Sequence, residues 1–363
     1  MAAPLLVTRE GPRLAADCPR PLKPVRVAIA GLGRAGIAHA TLLASVPDCE
    51  LVAVMDRRAE ARVRARGLGH HARLYSGLRR LLTDSKPDAV FLCGPQHDRA
   101  AMTRRVLEAG AAAFIEHPFG VTLDEAESIA AAAAGVPFAG SCPLLFTPVF
   151  RRAQEALAAG VLGRVRQARS SMFVTRVFDA KHPVHHEPGP VVGGVLAQVA
   201  SDLLFLLVWY FGVPVEARAT SNRMYGGLED ELHAMMKLES GAEVGLDCSW
   251  SVPGYPEPAT VIELEGDNGT MLVSDDGIEA DLKESRAGFG AGHTRIRSAE
   301  LPQPAAFDWD GDAMYLMDAS FLAWITGGPA VPNQGAFALE VRRVMDAIYT
   351  SAGADGRPQA VRR

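Results

Sequence analysis

The stretch Val25-Arg26-Val27-Ala28-Ile29-Ala30-Gly31-Leu32-Gly33-Arg34-Ala35-Gly36 decides how the rest of the chain is read. Val25–Ala30 is apolar except at Arg26, as suits a strand covered on both faces, and Ile37–Ser45 continues as an apolar helical run. The three glycines between them differ in what they permit. Gly31 allows a tight turn, Gly33 lets backbone approach a pyrophosphate, and Gly36 lets the helix pack close to the strand. The helix N-terminus, through Gly33, Arg34 and Ala35, supplies N–H donors and a dipole for the phosphates. This spacing also occurs in turns that bind nothing, with Asp56 then a simple helix cap. Asp56, however, lies 20 residues beyond Gly36 at the end of a second strand, Glu50–Met55, where a carboxylate accepts hydrogen bonds from ribose hydroxyls. Asp56 would repel a 2′-phosphate and Arg57 and Arg58 would attract one, so NAD is the expected cofactor, with NADP also admitted.

Outward from this unit, short β-branched runs alternate with helical stretches, the pattern of a doubly wound parallel sheet. A strand is expected at Ala89–Cys93, a helix at Ala100–Ala109, a strand at Ala113–Ile115 and a helix at Leu123–Ala134 capped by Thr122, then a last strand at Pro137–Gly140. Past about Cys142 the pattern changes. After a helix at Val149–Ala159 and a long strand from Val165 to Val177, six short strands are separated by tight turns such as Asp267-Asn268-Gly269. Two helices, Asp312–Thr326 and Ala336–Ser351, close the chain. The fold class is therefore α/β: a flexible tail at 1–24, a Rossmann domain at 25–142, and at 143–363 a C-terminal α/β domain with an open, mainly antiparallel sheet.

Composition narrows the function. The 363 residues are 48% hydrophobic and 22% charged with a net charge of −5, enough for a large core and without the basic stripe that nucleic acid requires. Five widely spaced cysteines exclude close-spaced zinc motifs and leave an odd number for pairing, which suits a reducing cytoplasm. Met1–Pro24 has no apolar run fit for a signal peptide, and Leu203–Phe211 is too short to cross a bilayer and reads as a buried helix.

The order of several short motifs resembles the glucose-fructose oxidoreductase/inositol dehydrogenase (Gfo/Idh/MocA) family. The likeness starts with Gly31–Gly36 followed by His39-Ala40, continues through Pro95-Gln96-His97, Leu107-Glu108-Ala109-Gly110 and Glu116-His117-Pro118, and extends to Leu162-Gly163-Arg164-Val165, Gly193-Gly194-Val195-Leu196 and Gly269-Thr270. The resemblance implies that Pro95, Gln96, His97 and Glu116 join Gly31, Gly33, Arg34, Ala35, Gly36, Asp56 and Arg57 around the cofactor. It also implies a second domain that binds a sugar, cyclitol or related hydroxy compound and often forms a homodimer or homotetramer through its sheet. Three functional positions depart from the family pattern. His117 stands where the family's Glu-Lys-Pro has lysine, and the later pattern meets Gln198 where the family has Asp and Asp202 where it has His.

The replacements at 117 and 202 suit proton handling. Hydride exchange with a carbinol needs a partner that takes or gives one proton near neutral pH, which histidine can do, and a facing carboxylate would orient the ring and stabilise its protonated form. His117 and Asp202 are therefore the catalytic candidates; the competing reading is a satisfied histidine at a strand end and a carboxylate on a helix surface. Arg176, Lys181, His185, His186 and Gln198 are substrate-binding candidates beside His117 and Asp202. His182, His185, His186 and Glu187 invite a metal reading, but the prolines and glycine around them suggest a loop over the substrate cavity, and no metal is expected. The leading function is NAD(P)-dependent hydride transfer to or from a secondary alcohol, ketone or imine, with a small molecule as the partner and neither nucleic acid nor membrane. Redox-neutral elimination or cyclisation with retained NAD, and nucleotide binding without catalysis, are the alternatives.

Overall fold

A computed structural model describes residues 19–65, 72–176, 193–303 and 311–363. The first sheet is wholly parallel. Its strands are β1 (Val25–Ala30), β2 (Cys49–Met55), β3 (Arg73–Tyr75), β4 (Ala89–Leu92), β5 (Ala112–Ile115) and β6 (Phe138–Gly140), in the order β3-β2-β1-β4-β5-β6. That order reverses direction beside β1, and the crevice at such a switch point is where a dinucleotide binds. Helices α1 (Arg34–Leu43), α2 (Ala59–Arg64), α3 (Leu78–Ser85), α4 (Gln96–Glu108) and α5 (Leu123–Ala133) make the crossovers. The four residues of β4 and of β5 are buried throughout, which explains their unbroken apolar sequence.

After α6 (Pro148–Ala158) come β7 (Val165–Phe173), α7 (Val195–Gln198) and α8 (Ser201–Phe211). Then follow β8 (Glu216–Asn222), β9 (Glu231–Lys237), β10 (Glu243–Ser249), β11 (Ala259–Gly266), β12 (Gly269–Ser274), β13 (Gly277–Leu282) and β14 (Gly292–Arg297). These join β15 (Gln359–Ala360) in a nine-stranded sheet, antiparallel except where β7 runs parallel to β10. Alternate residues of β8, β11 and β13 are buried, so one face meets α6, α8 and α10 (Gly335–Ala352) and the other carries charge. α9 (Asp312–Ile325) returns to the first sheet: it packs on α1, and Phe321 meets Phe91 and Phe114 edge-on. Asn333 exchanges hydrogen bonds with the backbone of Gly140 at the end of β6.

The expected fold class holds, with local differences. α4 begins four residues before the expected Ala100, because the polar run Gln96–Arg99 hid a first turn in which Asp98 favours the helix dipole. The short edge strands β3, β14 and β15 were missed for lack of apolar alternation. β7 ends at Phe173, short of the expected Val177, which lies outside the described residues along with most of the N-terminal tail. Trp250 is fully buried and donates from Nε1 to Asp230 at 2.8 Å, as a core residue should. No described helix is long and apolar enough to cross a membrane.

Candidate active site

At the end of β1, Gly31 has a φ of +106°, and a Cβ there would run into the backbone of Cys93 and Gly94. A Cβ on Gly36 would strike the carbonyl oxygen of Gly31, so the helix approaches the turn more closely than any side chain permits. A Cβ on Gly33 would meet nothing within 4 Å. That open side adjoins the first turn of α1, which no side chain caps, and it leaves room for a pyrophosphate.

Asp56 locks this turn: its Oδ2 accepts from the Leu32 N–H at 2.9 Å. Its Oδ1 accepts from the Arg58 N–H at 2.8 Å, and the Arg58 guanidinium spans both oxygens at 3.1 Å. Burial pushes the Asp56 pKa up, but Arg58 and the Leu32 N–H outweigh it and hold the group below the usual carboxylate range. Arg57 turns instead to Asp98 at the start of α4, at 2.9 Å. Of the remaining cofactor candidates, Pro95 stands at the N-cap of α4, Gln96 is buried with Oε1 unpartnered, and His97 faces Asp98 at 3.7 Å. The residues present thus fit a dinucleotide.

The second half of the site is built at the end of β5. Arg99, buried on α4, donates to the carbonyls of Gly94, Glu116 and His117 at 2.8, 2.9 and 2.8 Å and so ties two strand ends together. His117 Nδ1 is buried without a hydrogen-bond partner and lies 3.9 Å from Glu116 Oε2. Asp202, in the first turn of α8, also has a buried, unpartnered oxygen, Oδ1. Burial pushes its pKa to about 6; the nearby His117 opposes this shift and Glu116 adds to it. His117 and Asp202 are therefore close enough to sense each other's charge, although no hydrogen bond joins them.

α7 and α8 are aimed by the Gly193-Gly194 entry. Gly193 has a φ of +83°, and the Gly194 N–H donates to Glu229 Oε1 at 2.6 Å, an oxygen that also accepts from Tyr349 at 2.7 Å. Gln198 donates back to the Gly193 carbonyl at 2.9 Å. Half-buried Arg176 is tied through its N–H to the Trp250 carbonyl at 2.9 Å. Lys181, His182, His185, His186 and Glu187 lie outside the described residues. Among the described residues no three His, Cys, Asp or Glu side chains form a metal-binding group.

Sequence reasoning missed Arg99, His39 and Asp318. His39 sits between Glu116 and Asp318, at 2.8 and 2.7 Å. It stood in a quoted motif but had no role assigned. Asp318 had a readable signal, a lone acid in the apolar run Met314–Trp324, where an unpaired charge would not be buried.

The parallel sheet, its glycine turn and the acid closing β2 define a dinucleotide-binding oxidoreductase. Residues 25–136 match the model of an oxidoreductase family with an NAD-binding Rossmann fold, and residues 150–272 match the Gfo/Idh/MocA C-terminal domain. The chain belongs to the Gfo/Idh/MocA family, and its nucleotide domain is NAD-binding. It is 26% identical over 342 residues to a D-apiose dehydrogenase of Paraburkholderia graminis, covering 91% of this chain and 88% of that one. It is 24% identical over 353 residues to a D-glucoside 3-dehydrogenase of Escherichia coli, covering 91% and 95%. A levoglucosan dehydrogenase solved with NADH and levoglucosan shares the fold, with a TM-score of 0.84 at 19% identity over 94% of this chain and all of that one.

Proposed function

We propose that this chain exchanges hydride between NAD and a secondary alcohol or the corresponding ketone of a sugar, cyclitol or similar polyol, with His117 as the proton donor and acceptor. The observation that carries this reading is the pair of buried, unpartnered atoms, Nδ1 of His117 and Oδ1 of Asp202, which feel each other's charge beside an NAD-binding turn. Bound NAD would take the hydride from the carbinol carbon. The hydroxyl proton then passes to the His117 imidazole, and the imidazolium gains from the carboxylates of Glu116 and Asp202. In the reverse direction His117 returns that proton to the carbonyl oxygen. Asp202 thus acts on His117 through its field. Gln198 and Arg176 would contact the substrate, and NAD would be favoured over NADP because a carboxylate at the end of β2 would repel a 2′-phosphate. The relatives named for D-apiose and D-glucoside support a polyol substrate.

The test is a panel of sugars and cyclitols followed by nicotinamide absorbance. Replacement of His117 by Ala is expected to lower turnover by at least about a hundred-fold while NADH still binds. Near-normal turnover in that variant would remove the proposal. Product formed with no net absorbance change would move the assignment to redox-neutral chemistry.

A further inference from the structure

His39, on α1, is a buried titratable group that takes no part in the transfer just described. It is fully shielded from solvent, with its ring against Phe91 and Phe114 at centroid distances of 5.2 and 5.3 Å. Nδ1 lies 2.7 Å from Oδ2 of Asp318, and Nε2 lies 2.8 Å from Oε1 of Glu116. A neutral imidazole can donate to only one carboxylate. Both contacts are good hydrogen bonds when both nitrogens carry protons, or when one acid holds a proton. Burial opposes the imidazolium, but Asp318 and Glu116 outweigh it and raise His39 to about 10. Burial likewise pushes Glu116 up, but its bond to His39 prevails and draws it down to about 2.

The remaining oxygen of Glu116, Oε2, faces His117 Nδ1 at 3.9 Å. Asp318, His39, Glu116, His117 and Asp202 therefore form a row of alternating acids and bases from α9 through the Rossmann core to the site. The other titratable groups along it are Cys49 near Asp318, Cys93 and Arg99 near Glu116, and Cys142 beside Asp202. Burial pushes all three thiols up, so they remain neutral and the row carries the local charge.

We infer that His39 is a positioning residue for His117: clamped by Asp318, it holds Glu116 turned so that Oε2 stays beside His117 Nδ1. The role of His117 in proton transfer comes from the reading above; the hold on its imidazole is a separate property. Asp318 belongs to an element nearly two hundred positions further along the chain, so a C-terminal helix helps set the electrostatics of a residue in the nucleotide domain.

The experiment is an NMR titration of the His117 imidazole in the full-length protein with NADH bound, for the wild type, Glu116→Gln, His39→Gln and the double variant. Glu116→Gln keeps the shape and removes the anion, so the His117 midpoint is expected to fall by about one pH unit or more. Without the cation of His39, Asp318, fully buried and already pushed up to about 6, takes up a proton first, while Glu116 keeps Arg99 nearby but loses the bond that fixes its Oε2 beside His117 Nδ1. The midpoint in His39→Gln is then expected to fall in the same direction, and His39→Gln should add nothing in the Glu116→Gln background. An unmoved midpoint in Glu116→Gln or in His39→Gln, or a full-sized His39→Gln shift that persists in the double variant, would overturn the inference. Should His39→Gln fail to fold, Asp318→Asn, which removes the anion that holds the His39 ring, takes its place, and an unmoved His117 midpoint there overturns the inference. A lowered midpoint with undiminished turnover would leave the positioning intact and remove His117 from the chemistry.

Discussion

Replacing Asp202 with Asn should make the protein more stable at alkaline pH and less active. The carboxyl group has an ordinary value of 3.8 and is pushed to about 6 in the folded chain, chiefly by burial. A folded value above the unfolded one means that the folded state binds the proton more tightly, so the group costs stability once it ionises. Below about pH 4 the carboxyl is protonated in both states and the cost vanishes; above about pH 6 it is fully present. A shift of about two units corresponds to at most about 3 kcal/mol. Asn has the same shape and no charge, so whatever hydrogen bonding it loses or gains is the same at every pH. The difference in unfolding free energy between variant and wild type should therefore grow by up to about 3 kcal/mol in favour of the variant from about pH 4 to about pH 8. Thermal unfolding of the cofactor-free protein across that range measures it. Turnover should fall at least about ten-fold, because the imidazolium of His117 loses a compensating charge. A variant whose stability difference is the same at both ends of the range would refute the buried-charge argument, and intact turnover would refute its link to catalysis.

Three other changes probe the rest of the site. Gly33→Ala adds a methyl to open space at ordinary backbone angles, so stability should change by no more than about 0.5 kcal/mol. NADH affinity should nevertheless drop at least about ten-fold in a fluorescence titration if that space is the pyrophosphate cradle. Arg99→Met strips the hydrogen bonds to the carbonyls of Gly94, Glu116 and His117 and should cost about 3–5 kcal/mol by chemical denaturation. A loss under about 1 kcal/mol would show that those carbonyls find other donors. Asp56→Asn removes the charge facing the ribose and frees Arg58, so the NADPH to NADH affinity ratio should move at least about ten-fold toward NADPH. An unchanged ratio in paired titrations would place cofactor selection elsewhere.

The first sheet was legible because its signals are local: a buried parallel strand is apolar without interruption, and the glycine turn needs its glycines at fixed, closely spaced positions. The antiparallel strands showed equally well, since β8 is bounded where alternation and turn chemistry place it. Edge strands such as β3 escaped because an edge strand buries little and so needs little pattern. For the site, the division is between contacts near in sequence and those far apart. Asp56 and Glu116 stood out beside strand ends. That Asp56 would be held by Arg58 while Arg57 turned to Asp98 depends on side-chain directions that spacing does not specify. The clamp of His39 by Asp318 joins positions 279 residues apart, and only the return of α9 to the first sheet reveals it.

That return also bears on how the chain is made. Phe91 and Phe114 emerge from the ribosome long before Phe321, the residue that covers them, and His39 waits as long for Asp318. Until α9 has been synthesised, the nascent nucleotide domain presents an uncovered aromatic patch beside a histidine that lacks one of its two anions, and domains released in that state invite misassembly. A ribosome stalled before residue 312 would hold all six strands of the first sheet without the helix that covers Phe91 and Phe114, so the last packing step of the nucleotide domain waits for a late part of the chain.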